Sequence, residues 1–97
     1  VFIDRYTAKY GAEPADYAAL TWDSIGLMVE GIKNTGMVDS NPRKMRKAIR
    51  DGLAAIKSFD GVTGSSKFNE QGDPIKCAVI VKISDEGTFV FEESVCP

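Results

Sequence analysis

The chain has 97 residues, of which 43% are apolar and 27% are charged. This length and composition fit one small globular domain or a piece of a larger one, and they exclude a collagen-like, low-complexity or strongly disordered chain. The formal net charge of −2 argues against a nucleic-acid partner held by bulk electrostatics. The chain has no His, and its two Cys cannot fill a four-ligand zinc site, so no metal or other cofactor is predicted.

The first two predicted helices are marked by apolar spacing and by the residues at their ends. Apolar side chains recur near helical spacing from Val1 to Tyr10, and Gly11 is a favoured residue just beyond a helix end. A long helix should then begin at Ala15 or Asp16 and run to about Asn34. Its apolar positions form two adjacent stripes, which predicts a helix that packs on more than one side.

A third helix should begin at Ser40 or Asn41, because Pro42 is well suited to the first helical position, where its missing N–H costs nothing. Its cationic side chains lie beside an apolar stripe: Arg43, Lys44, Arg46, Lys47 and Arg50. Two interpretations of these cations stay open, a site for an anionic partner and an ordinary solvated helix surface. We favour the second.

The chain becomes turn-rich and then β-prone after the third helix. A stretch with three glycines and one proline predicts only short extended pieces, around Val62 and at Lys67–Phe68. Cys77–Ile83 gives the clearest strand signal, Ser84–Gly87 is a turn, and Thr88–Val95 returns as a second strand. The predicted fold class is therefore α/β, with three helices followed by a turn-rich crossing and a β-hairpin.

None of the motifs in the sequence predicts an enzyme, so no catalytic residue is proposed. Ser65 and Ser66 have no His to activate them, and no pair of acidic residues is spaced as an acid–base couple. Residues 61–64 lack the Gly-Lys-Ser/Thr that completes a phosphate-binding loop. Residues 69–73 lack the acidic spacing of an EF-hand loop and are predicted to form a surface turn.

Cys77 and Cys96 are the two cysteines of the chain. If the hairpin turns at Asp85–Glu86, residue 77 faces a residue near 94, so one bulge or a frayed end would bring the two sulfurs together. The residues alone leave three alternatives open: a disulfide, a redox thiol, and two unrelated free cysteines.

Two parts of the sequence carry a family resemblance. The order of aromatic, glycine and proline residues from Phe2 to Ile32 is followed by a helix that starts at Asn41-Pro42. Then come two short blocks, FDGVTG from Phe59 and FNEQGD from Phe68. This series resembles the periplasmic substrate-binding proteins of branched-chain amino acid ABC transporters, whose signature reads FxGvTG…FdenGD. The resemblance covers essentially the whole chain but only the C-terminal portion of these much longer proteins.

The resemblance implies two α/β lobes that are joined by crossing segments and clamp a ligand between them. It places residues 1–60 in a helical part of the first lobe, residues 61–75 in an inter-lobe crossing, and residues 76–97 in a terminal hairpin of the second lobe. Tyr17 matches the family's aromatic position beside the ligand side chain, although it could instead pack the helix start. Asp23 is assigned to helix or hinge structure.

The function implied by the resemblance is non-enzymatic. It is the extracytoplasmic solute-binding component of an ABC importer, with a branched-chain amino acid or a related amino acid or amide as ligand. The implied partners are this small molecule and the membrane permease of the transporter. The implied location is periplasmic or extracellular, with or without a lipid anchor on the precursor. In such an oxidising compartment a Cys77–Cys96 disulfide would persist.

Two other functions remain alternatives. A receptor or regulator could use the same fold as a ligand-sensing domain, and a free-standing α+β interaction module is a third reading. The sequence upstream of the chain would separate the importer component from the sensor, since a transport protein carries a signal peptide or a lipoprotein Cys there and a sensor carries a membrane span or a signalling domain. In isolation the chain is expected to self-associate, because it presents open strand edges and uncovered apolar stripes.

Overall fold

A computed structural model describes all residues, 1–97. Helices come first in the chain and strands follow, so the predicted α/β order of three helices, a turn-rich segment and a hairpin is confirmed. The helices are α1 (Phe2–Tyr10), α2 (Asp16–Asn34) and α3 (Pro42–Ala54). The strands are β1 (Phe59–Gly61), β2 (Gly64–Phe68), β3 (Pro74–Ile75), β4 (Ala78–Ile83) and β5 (Phe89–Val95).

Local capping chemistry explains where α1 ends and α3 begins. Gly11 adopts a left-handed conformation with φ 73°, and its N–H donates to the carbonyl of Thr7 over 2.8 Å. At the start of α3, Oδ1 of Asn41 accepts from the backbone N–H groups of Arg43 (3.0 Å) and Lys44 (3.4 Å). Both boundaries lie where the sequence predicts them.

Helices α2 and α3 pack closely because a glycine of each helix lies at the point where the two helices contact each other. A Cβ atom on Gly52 would overlap the carbonyl oxygen of Gly31, so only glycine allows this approach of the two backbones. Nδ2 of Asn34 donates to the carbonyl of Gly52 over 3.2 Å and adds a polar contact between the helices. Ile56, just beyond α3, is the one buried apolar side chain, with 6% of its surface exposed.

The turn-rich segment forms a three-stranded antiparallel meander in the order β1-β2-β3. The extended structure expected around Val62 is present as β1 and β2 on either side of it, whereas Val62 and Thr63 themselves form the turn that joins the two strands. Gly64 follows that turn with φ 98°, a conformation that a β-branched residue could not supply. The extended piece expected at Lys67–Phe68 is confirmed within β2.

The terminal strands β4 and β5 form a separate antiparallel pair that joins no other strand. Its turn is the predicted Ser84–Gly87: the N–H of Ser84 donates to the carbonyl of Thr88 over 2.8 Å, and Gly87 has φ 77°. Every residue of β4 is exposed. The hairpin is therefore held by its own ladder and by its base, and neither face is covered.

The molecule is flat and extended, measuring 56 × 35 × 18 Å. Its radius of gyration is 16.9 Å, whereas a compact domain of this size has a value of about 13 Å. Only 5 of the 97 residues are buried, so most apolar side chains of the helices and the hairpin lie at the surface.

None of the helices combines the length and the apolar character that crossing a lipid bilayer requires.

Candidate functional site

An open groove of about 900 Å³ lies between α1 and α2. Its size falls in the range of small-molecule sites. Aromatic rings line it: the ring centroids of Phe2 and Trp22 are 5.4 Å apart, and those of Tyr6 and Tyr10 are 4.5 Å apart. The Phe2–Trp22 pair joins α1 to α2 through an aromatic contact, whereas the Tyr6–Tyr10 pair lies within α1.

Tyr17 lines the same groove from the first turn of α2. Its backbone N–H donates to Oδ1 of the preceding residue, Asp16, over 2.9 Å, and the charge of Asp16 in the first turn is favoured by the helix dipole. Its side chain is 77% exposed, so most of the ring is free to contact another group. Two charged residues, Arg5 and Lys9, also line the groove, and both are cations. The ligand contact of Tyr17 stays a prediction.

A buried carboxylate links α2 to the β1–β2 turn. Asp23 is 6% exposed, and its Oδ1 accepts from the N–H of Val62 over 2.8 Å. Its Oδ2 accepts from the N–H of Thr63 (2.9 Å) and from the Thr63 hydroxyl (2.5 Å). Nζ of Lys76 in turn donates to Oγ1 of Thr63. A Cβ on Gly61 would overlap this carboxylate, so the turn fits Asp23 only with glycine there.

The environment of Asp23 favours its ionised form. Burial acts to raise the pKa of this carboxyl, but the hydrogen bonds from the Thr63 hydroxyl and from the N–H groups of Thr63 and Val62 outweigh it. The charge of Lys76 acts in the same direction, so the pKa of Asp23 lies below its ordinary value. Asp23 is therefore a permanent anion near neutral pH.

The sequence assigns Asp23 to helix or hinge structure but does not reveal its partners. These partners lie 39 and 40 residues further along the chain, and no local pattern connects them to α2. One signal was present, namely an acidic residue directly after Trp22, between the apolar stripes of the long helix.

Cys77 and Cys96 are joined by a disulfide at the base of the terminal hairpin. The strand register explains how they meet. Val81 pairs with Phe91, but the next residue, Ile80, pairs with Glu93, so one extra residue in β5 shifts the ladder. Without the bulge, the register of Ile83 with Phe89 would place Cys77 opposite Val95, and the bulge moves its partner by one residue, to Cys96.

Part of the cationic surface of α3 is neutralised within the chain. Nζ of Lys47 lies 2.7 Å from a carboxylate oxygen of Asp51, and the Arg50 guanidinium lies 2.5 Å from the other. Lys44 lies 3.6 Å from Asp39. These pairs agree with the solvated-surface interpretation of the cation run. No group of three or more potential metal ligands lies close together in the chain.

Solved structures with similar folds are binding proteins. The leucine-binding protein LivK from Thermotoga maritima has a TM-score of 0.78 and 30% identity over 99% of this chain and 25% of its own. A solute-binding protein of an ABC transporter from R. palustris, in complex with benzoate, has a TM-score of 0.75 and 23% identity over 98% of this chain and 25% of its own. An ABC transporter substrate-binding protein from Desulfitobacterium hafniense has a TM-score of 0.74 and 27% identity over 94% of this chain and 25% of its own. The chain thus spans about a quarter of the length of these relatives.

The helices and antiparallel strands together match a portion of the type I periplasmic-binding fold. The sequence also matches the model of the periplasmic binding protein family over residues 1–88. Because that match covers most of its length, the chain belongs to the periplasmic binding protein family. The resemblance found in the sequence is therefore confirmed at the level of the family. No curated protein sequence matches the chain.

Proposed function

We propose that this chain is the C-terminal portion of the solute-binding component of an ABC importer. The observation that carries the proposal is its 30% identity with a leucine-binding protein over 99% of the chain. On this basis the ligand is a branched-chain amino acid or a related amino acid or amide. The partners are this ligand and the membrane permease, and the location is periplasmic or extracellular.

In the proposed mechanism the complete protein closes two lobes around its ligand by a hinge motion. Residues 1–60 belong to the first lobe, residues 61–75 form a crossing, and residues 76–97 are the terminal hairpin of the second lobe. Tyr17 lines the cleft and contacts the apolar part of the ligand. Its exposure in the aromatic groove supports this role, because the ring is available to a bound molecule.

Uptake in cells tests the importer function directly. Cells with and without the gene for the complete protein are given labelled leucine, isoleucine or valine. Loss of high-affinity uptake on deletion, with restoration by the plasmid-borne gene, supports the proposal. Unchanged uptake together with loss of a ligand-dependent regulatory response would instead favour a sensor.

A further inference from the structure

A short segment between β3 and β4 connects the terminal hairpin to the rest of the chain and determines its orientation relative to the helices. The β4–β5 pair joins no other strand, and every residue of β4 is exposed. Two residues, Lys76 and Cys77, connect it to β3. Lys76 bonds to Thr63 outside the hairpin, while the Cys77–Cys96 disulfide closes the base of the hairpin itself. The base of the hairpin is therefore fixed by side chains rather than by packing.

A continuous chain of side-chain hydrogen bonds connects Lys76 to α2. The Thr63 hydroxyl accepts from the Lys76 ammonium and donates to Oδ2 of Asp23. A hydroxyl has one hydrogen to give and lone pairs to accept, so both bonds form together. Asp23 is buried, and water competes poorly for its oxygens. Three side chains thus connect the long helix, the β1–β2 turn and the hairpin base.

We propose that Asp23, Thr63 and Lys76 form a tie that fixes the angle between α2 and the β4–β5 hairpin and thereby sets how readily the protein closes on its ligand. The three are positioning residues, because none of them lines the groove beside Tyr17. The link between the hairpin angle and closure rests on the proposed function, in which α2 belongs to the first lobe and the β4–β5 hairpin to the second. If a smaller fraction of the protein has the angle that allows closure, the apparent affinity for the ligand falls by the same factor.

Two substitutions release the tie at different points. Thr63→Val removes the hydroxyl but keeps the side-chain shape and the backbone N–H bond to Asp23. Lys76→Met keeps an unbranched aliphatic stem and removes the ammonium. Thr63→Ser restores the hydroxyl and serves as the rescue. Ser65→Ala is the matched control, because Ser65 also carries a hydroxyl in this meander but donates it to the exposed Asp60.

The measurement is the distance between two spin labels in the complete protein, by pulsed electron resonance without ligand. The labels are attached through ketone-bearing unnatural residues at Arg46 in α3 and Glu86 in the hairpin turn. These positions are exposed, and the chemistry leaves the disulfide intact. Ligand affinity is measured in parallel by calorimetry, and thermal melting confirms that each variant is folded.

Thr63→Val and Lys76→Met should each broaden or shift the label distance and change the ligand dissociation constant about three- to tenfold. Thr63→Ser and Ser65→Ala should match the wild type. Wild-type distances in both Thr63→Val and Lys76→Met would overturn the tie, and a broadened distance with unchanged affinity would overturn its link to closure. If Thr63→Val fails to fold, Lys76→Met decides. A wild-type protein that binds no ligand contradicts the proposed function instead, while the label distances still decide the tie.

Discussion

Tyr17 combines an aromatic ring with an exposed position at the mouth of the α1–α2 groove. In the complete protein, Tyr17→Ala should weaken ligand binding, because removing an apolar pocket wall costs about 1–3 kcal/mol of binding free energy. The melting temperature should stay unchanged, since the ring contributes little buried surface. Calorimetric titration with leucine measures the affinity.

Phe89→Ala is a matched control for Tyr17→Ala. Phe89 is also 77% exposed but lies in the terminal hairpin, away from the groove, so its truncation should leave affinity unaltered. An affinity within about twofold of the wild type for Tyr17→Ala, together with lost stability, would make Tyr17 a structural residue and end its assignment to the ligand site.

Asp23 should make the stability of the protein depend on pH in a defined direction. Its folded-state pKa is lowered from the ordinary value of 3.8, so its contribution to the free energy of unfolding is fully present above that value. The contribution is lost as the pH falls through the folded-state pKa. Asp23→Asn should therefore cost about 1–3 kcal/mol near neutral pH and progressively less below about pH 4.

Urea unfolding of wild type and Asp23→Asn across this pH range checks the prediction. Asp60→Asn is the control, because Asp60 is exposed on the neighbouring strand β1 and the substitution keeps a side-chain oxygen that can accept from Ser65, so the stability should stay close to that of the wild type. A stability difference for Asp23→Asn that stays constant down to about pH 2 would show that the charge of Asp23 is not what stabilises the turn.

At the residue scale, the sequence predicts features whose causes lie nearby and misses those whose causes lie far away. Gly11 and Asn41 act on backbone groups within four residues, so their capping roles follow from local rules. Asp23 acts on Val62 and Thr63, which reach it only through the tertiary fold. The sequence shows that Asp23 is an unusual residue in this helix, but it does not identify the backbone groups to which Asp23 is hydrogen-bonded.

At the scale of elements, the sequence predicts the helices in full and the meander only in part. The helices carry apolar periodicity and clear end signals. Strands β1 and β3 have three and two residues, too few to show any period. Val62 has a high strand propensity, but it lies in a turn because the Asp23 carboxylate holds its N–H and Gly64 supplies the positive φ.

The terminal hairpin shows a similar limit. Its strands and its turn follow from composition, whereas the bulge that shifts Ile80 onto Glu93 has no sequence signal. That shift decides the partner of Cys77. The sequence could therefore state only that one irregularity would align the two cysteines, and the structure supplies the irregularity.

The Cys77–Cys96 disulfide should be present in protein recovered from its native compartment. The two residues are 19 apart, and closing a loop of this size stabilises the fold by about 3 kcal/mol in the chain-entropy model. Intact mass under non-reducing conditions should be about two hydrogens lower than after reduction. Thiol labelling before reduction should find no free thiol.

Reduction provides the internal control for this prediction. After reduction, labelling should modify both Cys77 and Cys96, which shows that the reagent reaches them. Complete labelling of native protein before any reduction would refute the disulfide, and it would weaken the proposed extracytoplasmic location, because disulfides persist mainly in oxidising compartments.

At the scale of the whole molecule, the isolated chain is expected to self-associate, because it leaves much apolar surface in contact with water. Val79 and Val81 of β4 are 60% and 51% exposed, and both edges of the hairpin are open. Sedimentation equilibrium over a concentration series should show a reversible dimer or a larger species. A strictly monomeric chain at high concentration would contradict this expectation.

A pair of lysine substitutions locates the associating surface. Val81→Lys places a charge on the exposed hairpin and should weaken the association. Gln71→Lys adds the same charge at an exposed turn residue outside the hairpin and should leave the association constant unchanged. An equal effect of both variants would mean that net charge, rather than the hairpin surface, controls self-association.

This chain is proposed to supply part of a two-lobe clamp for a small ligand. Calorimetric titration of leucine into the complete protein and into the isolated 97-residue chain distinguishes a clamp from a self-contained site. The complete protein should bind one leucine with a micromolar or lower dissociation constant, whereas the isolated chain should give no binding heat, because its groove is open and the opposing walls are missing. Micromolar binding by the isolated chain, or no binding of any branched-chain amino acid by the complete protein, would contradict the claim.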